Sequence, residues 1–565
     1  MITIPCEYEY VTDDPNIRTV PFGYIDKTIC GCGLTSLAIE SEGNTVITVP
    51  TIYLTTNKAK QYPSTRYTGS LLPVWGDTSV SSIEQYVQNN NPAKIMVTYD
   101  SLFKVEHLLP KARLIIDESN ELLSKSKLKP EVIDNLFDIA ERYKDTVSFI
   151  SATPIPLEFM PRWISDIDQV KITFKDTIKT VPILCKRTYP FKSLKDEIIN
   201  PLLIQNTITF GGKTFDKVLV FVNSVIQVAK IVKECKIDKN ECGIICGNSL
   251  ENDTKIIGIP RYNDDTLPKF LFATSSAYCG IDLYDASVMS IVVSCTTKKW
   301  QMIDMMTDLK QAISRQRNKD NPNYGSYIYI YNQSIFEKTD DELLKILDDV
   351  HNKITTNIGV YEDLLRQGKA KYFMFDADFK SYTIFKDNKY EINRMAFNAD
   401  KYFILNTRKQ YTKGFDVQGS LGKCETVEAI EIPYDFGYPD LVEYFNENHI
   451  NGTIDWKIYS SHYDWTVVIE NSFRLYNKTW KDYTYARKMI ENFGNVNQQV
   501  IIEIKSKFRT GNRYSRKEVR SILSEIYSRY NIKRVAKYTD LSEIMTVKNI
   551  IIRGDRIIEI INKSY

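Results

Sequence analysis

The sequence predicts an α/β protein built from two tandem parallel-sheet domains, followed by a mixed α+β region. Three observations carry this. Short β-branched runs recur between residues 20 and 335, each followed by a helix-like stretch. A glycine-bearing turn, Lys27-Thr28-Ile29-Cys30-Gly31-Cys32-Gly33-Leu34-Thr35-Ser36, opens the first such unit. The alternation stops near residue 336, and aromatic and basic composition takes over.

Composition bounds the function. The 565 residues are 43% hydrophobic and 25% charged, with net charge +2, so any nucleic-acid surface must come from local charge asymmetry. No run of about 18 apolar residues is present, and the first ten residues lack the basic and apolar regions of a signal peptide, so neither a membrane span nor secretion is expected. The ten cysteines are scattered and read as reduced cytoplasmic thiols. Cys235, Cys242 and Cys246 lack paired C-x-x-C spacing and read as small buried hydrophobes.

In the first domain, Gly31 and Gly33 let the backbone approach phosphate oxygens. The helix that follows (Leu37, Ala38, Ile39) turns its free N–H groups toward the same anion. Cys32 and Ser36 belong to the same phosphate cradle, and Thr35 stands where a Mg²⁺ ligand belongs. A phosphate-binding loop of the Walker A type carries lysine between Gly33 and Thr35. Here that residue is Leu34, so Lys27, four residues before Gly31, is the candidate replacement; the alternative is a lysine at a strand end. Thr45–Val49 and Ile95–Thr98 read as buried strands, the first ending in Pro50-Thr51 and a helix-like stretch through Lys58. Ala112–Ile116 is an apolar strand ending in Asp117-Glu118. The first carboxylate suits a Mg²⁺ shell and the second an attacking water. Val147–Ile150 is a further strand, ending in Ser151-Ala152-Thr153-Pro154.

A proline-rich linker is expected near 165–182. The second domain offers strands at Lys217–Val222, Gly243–Cys246, Phe270–Thr274, Met289–Val293 and Tyr327–Tyr331, with a helix from Val225 to Lys233. Trp300–Arg315 reads as one helix. Arg315 and Arg317 follow it, either as a solvated basic turn or as an arginine-finger pair reaching a phosphate held by the first domain.

In this order and spacing the motifs resemble those of superfamily 2 (DEAD/DEAH-like) helicases. Gly31–Ser36 resembles motif I with a degenerate Walker A, Pro50-Thr51 motif Ia, and Thr98–Leu102 motif Ib. Asp117-Glu118-Ser119-Asn120 stands at the DEAD box, Ser151-Ala152-Thr153 at motif III, and Thr274 with Gly280-Ile281-Asp282 at motif V. Gln311-Ala312-Ile313-Ser314-Arg315-Gln316-Arg317 resembles motif VI, in the form found in viral origin-binding helicases, with Ser314 replacing glycine.

The resemblance implies two tandem RecA-like domains (1–168 and 178–335), an accessory region (336–430) and a basic C-terminal domain (431–565). It implies ATP and Mg²⁺ between the RecA-like domains, with Thr35 and Asp117 on the metal and Gly31, Cys32, Gly33, Leu34, Thr35, Ser36 and Asp282 around the nucleotide. Glu118, Arg315, Arg317 and Lys27 would be catalytic. Ser151, Ala152, Thr153 and Gln311 would couple the site to movement, and Pro50, Thr51, Thr98 and Thr274 would touch nucleic acid, DNA in preference to RNA. The expected output is a nucleic-acid-dependent ATPase, helicase or translocase of the viral or phage replication type, cytoplasmic in the host and associated with replication or virion proteins. Leu34 keeps two rivals open: a catalytically inactive helicase-like binding or assembly protein, and a nucleotide-gated switch.

In the final third, Asp340–His351 reads as a charged amphipathic helix. Residues 370–412 read as strands of a small sheet, or else a stacking surface for bases. Between 471 and 540 sixteen Lys/Arg face six Asp/Glu. Ser515 and Glu518 form an expected capping box for a helix bearing Arg516, Lys517 and Arg520, all three candidate phosphate contacts. Asp540 is a candidate cap, and 550–561 a terminal β pair. The whole suggests a winged-helix-like module or a solvated basic helical domain.

Overall fold

The computed structural model describes residues 1–427 except 67–68, 176–179, 263–265 and 281, together with 498–530, 535–541, 545–552 and 555–562. Ile281 and residues 471–497 and 531–534 of the basic stretch 471–540 therefore lie outside the described residues.

Two compact units divide the chain: residues 1–192 with 207–427, and residues 193–206 with 428–565. The first unit holds both parallel sheets. Its N-terminal lobe contains β1 (Ile2–Cys6), β2 (Gly23–Asp26), α1 (Leu34–Glu40), β3 (Thr45–Val49), α2 (Ile52–Gln61), β4 (Leu72–Val74), α3 (Val80–Asn89), β5 (Lys94–Thr98), β6 (Arg113–Asp117), α4 (Glu121–Lys125), α5 (Pro130–Arg142), β7 (Val147–Ser151) and β8 (Gln169–Phe174). All eight strands pair in parallel, in the order β1-β8-β2-β7-β6-β3-β5-β4.

The two-residue period of the strands explains why this sheet is buried on both faces. Val46, Ile95, Val97, Leu114, Ile116 and Phe149 face one apolar cluster with α5. Ile47, Met96, Ile115 and Ile150 face the other, with Leu34, Leu37 and Ala38 of α1.

The second lobe contains β9 (Val181–Lys186), β10 (Lys217–Val222), α6 (Val225–Cys235), β11 (Cys242–Ile245), β12 (Phe270–Ala273), β13 (Val288–Val293), α7 (Asp308–Ile313), β14 (Ser326–Tyr331) and β15 (Glu425–Thr426). They form a parallel sheet in the order β11-β12-β10-β13-β14-β9-β15. The stretch 165–182, expected as a linker, instead supplies β8 to the first sheet and begins β9 in the second. Alternating Val170, Ile172 and Phe174 bury one face of β8 and explain the difference.

The expected helix over 300–315 is also shorter than its apolar content suggests. Lys299–Gln301 is a 3₁₀ turn, and α7 begins only at Asp308. The Asp304 carboxylate accepts from the backbone N–H groups of Met306 and Thr307 (2.8 and 3.1 Å), and the Ser294 hydroxyl accepts from Ile303 N–H (2.9 Å). These bonds compete with the helical ladder and delay it.

After β14, α8 (Asp340–Arg366) extends well past His351 behind a capping box of Thr339 and Glu342. Only a short hairpin, Thr383–Lys386 with Lys389–Ile392, represents the sheet expected over 370–412. The remainder is largely helical and includes α9 (Arg394–Tyr402). Its aromatics pack on one another, Phe373, Phe375, Phe379 and Tyr390 lying 5.0 to 5.6 Å apart between ring centres, with Phe379 buried and Phe375 at the exposed edge.

In the second unit, the helices Gln498–Lys507 and Arg516–Arg529 accompany a sheet of Arg513–Ser515, Thr546–Ile552 and Asp555–Asn562. The Ser515–Glu518 capping box is present, and Val519, Leu523, Ile526 and Tyr527 face its core. Leu541, directly after Asp540, is helical, and residues 542–544 of the expected capped helix lie outside the described residues. The Asp540 carboxylate accepts from Lys537 N–H (2.9 Å) and Tyr527 Oη (3.2 Å), closing a 3₁₀ turn. No helix among the described residues is long and apolar enough to cross a membrane.

Candidate functional site

The strand ends of both lobes meet at a cleft of about 530 Å³. The turn after β2 forms its floor. Gly31 (φ 75°) and Gly33 (φ 88°) adopt left-handed backbone, which glycine reaches without strain. At Gly31 a Cβ would stand 2.5 Å from Arg317 Nη1, so any side chain there would displace the Arg317 guanidinium from the loop. The Cys32 carbonyl accepts from Val11 N–H at 2.9 Å, tying the loop to the N-terminal segment. Leu34 is 1% exposed and packs into the apolar cluster below α1. Ser36 lines the cleft beside Thr35.

The charged groups form one connected chain. Thr35 Oγ1 donates to Asp117 Oδ2 at 2.7 Å. Lys27 Nζ lies 3.2 Å from Asp117 Oδ1 and 3.5 Å from Glu118 Oε1. Gln311 Nε2, from the second lobe, donates to Glu118 Oε2 (3.0 Å) and Thr153 Oγ1 (3.3 Å). Ser151 Oγ donates to Asn120 Oδ1 (2.8 Å) and accepts from Thr153 N–H (3.0 Å), with Ala152 buried between them. Tyr99 Oη donates to the Asp117 carbonyl (2.6 Å) and also lies 3.1 Å from that of Glu118, whose backbone is left-handed (φ 53°). Such a conformation costs a non-glycine residue on the order of 1 kcal/mol and persists only where its surroundings hold it.

Burial opposes charge on Lys27, but the Asp117 and Glu118 carboxylates outweigh it and raise its pKa. Burial pushes the Glu118 carboxyl up, against the pull of Lys27.

Across the cleft, Arg317 Nε bonds Asp282 Oδ1 at 3.0 Å and its Nη1 reaches the Cys30 carbonyl at 3.2 Å. Arg315 lies 4.0 Å from Asp282 and donates through Nε to the Gln311 carbonyl (3.0 Å). Burial alone would raise the Asp282 carboxyl, but the two guanidiniums hold it below the ordinary carboxylate range. Thr35 and Asp117 present adjoining oxygens, a donor set that fits Mg²⁺, which commonly takes one or two protein oxygens and completes its shell with phosphate and water.

The structure thus brings together Lys27, Gly31, Cys32, Gly33, Leu34, Thr35, Ser36, Asp117, Glu118, Asp282, Arg315 and Arg317 around one cleft, with Gln311 and Thr153 bonded behind it. The residues expected to touch nucleic acid lie elsewhere. Pro50 and Thr98 are buried at strand ends, and Thr51 caps α2, accepting from Leu54 N–H at 3.2 Å. Thr274 lines a second inter-lobe cavity of about 840 Å³ with Asn223, Ser224 and Trp300. Arg516, Lys517 and Arg520 are in the second unit, Lys517 and Arg520 exposed and Arg516 stacked 4.1 Å over the Tyr538 ring.

Sequence reasoning missed Glu9, Tyr10, Lys58, Gln61, Tyr284, Lys319 and Tyr324, which also line the cleft. Lys319 pairs with Glu9 across the mouth. For Tyr10 the sequence carries no periodic signal. For Lys58 and Gln61 one exists: with Leu54 they repeat at i, i+4 and i+7 along α2.

No protein-family profile and no curated protein sequence matches the chain. Among solved structures it is similar to Mycobacterium smegmatis helicase Lhr bound to single-stranded DNA and AMP-PNP. That similarity has 17% identity and a TM-score of 0.34, and it covers 56% of this chain and 43% of that one. The chain is also similar to S. cerevisiae Dbp5 bound to RNA and ADP-BeF3, with 15% identity, TM-score 0.37, and 56% and 80% coverage. A third similarity is to Mss116p bound to single-stranded RNA and AMP-PNP, with 11% identity, TM-score 0.38, and 62% and 81% coverage.

Proposed function

We propose that the chain binds Mg·ATP between its two parallel-sheet lobes and couples hydrolysis to movement on nucleic acid, single-stranded DNA before RNA. The observation that carries this is the unbroken hydrogen-bond and ion-pair chain from Thr35 through Asp117, Lys27 and Glu118 to Gln311, which joins loop, strand end and the opposite lobe.

In this reading Gly31 and Gly33 bring backbone N–H groups to the phosphates, and Thr35 and Asp117 hold the metal. When bound, Mg²⁺ neutralises charge on the phosphate oxygens. Glu118 orients the attacking water. Gln311 fixes its carboxylate and Tyr99 its backbone. Lys27 would stand in for the loop lysine whose place Leu34 takes, its ammonium held beside the Asp117 and Glu118 carboxylates at the phosphate end of the cleft. Arg315 and Arg317 meet the charge that develops on the transferred group. Ser151, Thr153 and Thr274 pass closure on to bound strand, and Arg516, Lys517 and Arg520 supply salt-sensitive phosphate contacts. A role in viral or phage replication follows the motif resemblance.

One observation favours a second reading, an inactive nucleic-acid-binding relative: the Leu34 side chain is committed to the apolar core and offers phosphate no charge. Steady-state ATP turnover with and without single-stranded DNA or RNA separates the two, with Glu118→Gln as control. The first reading expects stimulated turnover that the control abolishes. Turnover no greater than the control supports the second.

A further inference from the structure

Three residues of α2, Leu54, Lys58 and Gln61, line the phosphate cleft. At 100° per residue they fall within a stripe of about 60°, so one edge of the helix looks into the site. That edge is fixed in place. Thr51 caps the helix, and Asn57 Nδ2 donates to the Gly280 carbonyl of the opposite lobe at 3.4 Å. A Cβ on Gly280 would come within 2.9 Å of Leu54 Cβ, so the two lobes are in contact here.

Of the lysines around the cleft, Lys27 is shared between two carboxylates and Lys319 is paired with Glu9. Among the described residues Lys58 has no carboxylate within ion-pair distance; its ammonium donates to the neutral amide oxygen of Gln61 at 2.8 Å. Burial lowers the pKa of this lysine, against attraction from Asp282 and Asp117 and with repulsion from Arg317 and Lys27. It therefore stands within the field of both Asp117, the metal-side carboxylate, and Arg317.

Resting on the nucleotide reading above, we propose that Lys58 is the cation that meets the terminal phosphate of the triphosphate. It enters from α2, on the side of the cleft that holds Asp282 and Arg317. Lys27 and Lys58 then divide the work of the missing loop lysine: Lys27 offsets the carboxylate pair from below, and Lys58 contacts the end of the phosphate chain. Exchanging a neutral amide partner for an oxygen of the charged terminal phosphoryl group favours ATP over ADP, because the second nucleotide lacks the group Lys58 reaches. No bond is made or broken by Lys58 itself.

The test is calorimetric binding of Mg·ATP and Mg·ADP to the full chain, for wild type, Lys58→Met, Lys58→Arg and, as control, Lys60→Met on the exposed side of α2. A charged hydrogen bond corresponds to about tenfold or more in affinity. Lys58→Met should weaken ATP binding by that factor while changing ADP binding less than about twofold. Lys58→Arg should restore much of the preference, and Lys60→Met should match wild type. Wild-type preference for ATP that survives unchanged in Lys58→Met overturns the assignment and leaves the nucleotide reading standing. Equal losses of ATP and ADP also overturn it, placing Lys58 at a phosphate both nucleotides share. Wild type that binds neither nucleotide overturns the nucleotide reading and this assignment with it.

Discussion

Asp400 gives the most direct handle on how the two lobes are held together. It lies on α9, is 7% exposed, and accepts from Lys127 of the first lobe, Lys299 of the second and the Tyr382 hydroxyl. Around it, Asn393 Nδ2 donates to the Ser126 carbonyl (2.9 Å) and Asn398 Nδ2 to the Phe159 carbonyl (3.0 Å) on one lobe. On the other lobe Gln410 Oε1 accepts from Met305 N–H (2.7 Å). Burial works against ionised Asp400, but Lys299 and then Lys127 hold its carboxyl below the ordinary range. Burial lowers the Lys127 ammonium in spite of its bond to Asp400.

Asp400→Asn leaves two ammoniums facing a neutral amide. Removing one partner of a fully buried pair costs about 3–5 kcal/mol. The Lys127 and Lys299 side chains are 30% and 50% exposed, so water screens part of this, and about 2 kcal/mol is expected. Because the folded pKa of Asp400 is depressed, this stabilisation is complete at neutral pH. It fades as pH falls from the unfolded carboxylate value through the lower folded one. Urea denaturation of wild type and Asp400→Asn at pH 7 and below pH 4 measures it. A gap of about 2 kcal/mol at pH 7 that narrows in acid is the expected result. No gap at pH 7, or one that widens in acid, refutes the triad as a fastener.

Other expectations follow from single residues. Gly31→Ala should abolish turnover, since its Cβ meets Arg317 Nη1 at 2.5 Å. Gly43→Ala, with similar φ but open space, should cost about 1 kcal/mol of stability and keep activity; equal activities would contradict the cleft geometry. Gln311→Ala should lower kcat about tenfold with little change in ATP affinity, by freeing the Glu118 carboxylate; an unchanged kcat would remove Gln311 from the site. Lys94 is buried at the end of β5, donating to the Ser41 carbonyl and Thr45 Oγ1, and burial lowers its pKa to about 8. The unfolded chain binds the extra proton between about pH 8 and 10.5, so wild-type stability should gain on Lys94→Met by up to about 3 kcal/mol as pH rises through that window. Parallel pH curves for the two proteins would show that Lys94 does not titrate this way.

The parallel strands were legible because apolar β-branched runs of five or six residues, such as Thr45–Val49 and Lys217–Val222, sit in sheets buried on both faces. The loop glycines, Asp117-Glu118 and the arginine pair were legible because their chemistry lies in contiguous residues. The late start of α7 was not, since it depends on Asp304 and Ser294 intercepting backbone N–H groups. The aromatic stretch near 375 reads as strand because aromatic content favours sheet; Phe379 is instead buried, with Phe373 and Tyr390 partly buried, in a cluster against α8 and α9. Tyr10 is brought to the cleft by contacts such as the Val11–Cys32 backbone bond, between segments with no shared pattern. Lys58 carried a helical spacing signal, but its meaning depends on knowing which edge of α2 faces Gly280.

The central claim is that one nucleotide binds between the lobes with Lys27 in place of the loop lysine. Isothermal titration of wild type, Lys27→Ala and Thr35→Ala with Mg·ATP tests it most directly. The account expects one ATP per chain in wild type and a loss of about tenfold or more in each variant. Absence of binding by wild type, or a Lys27→Ala variant that binds as tightly as wild type, would contradict it.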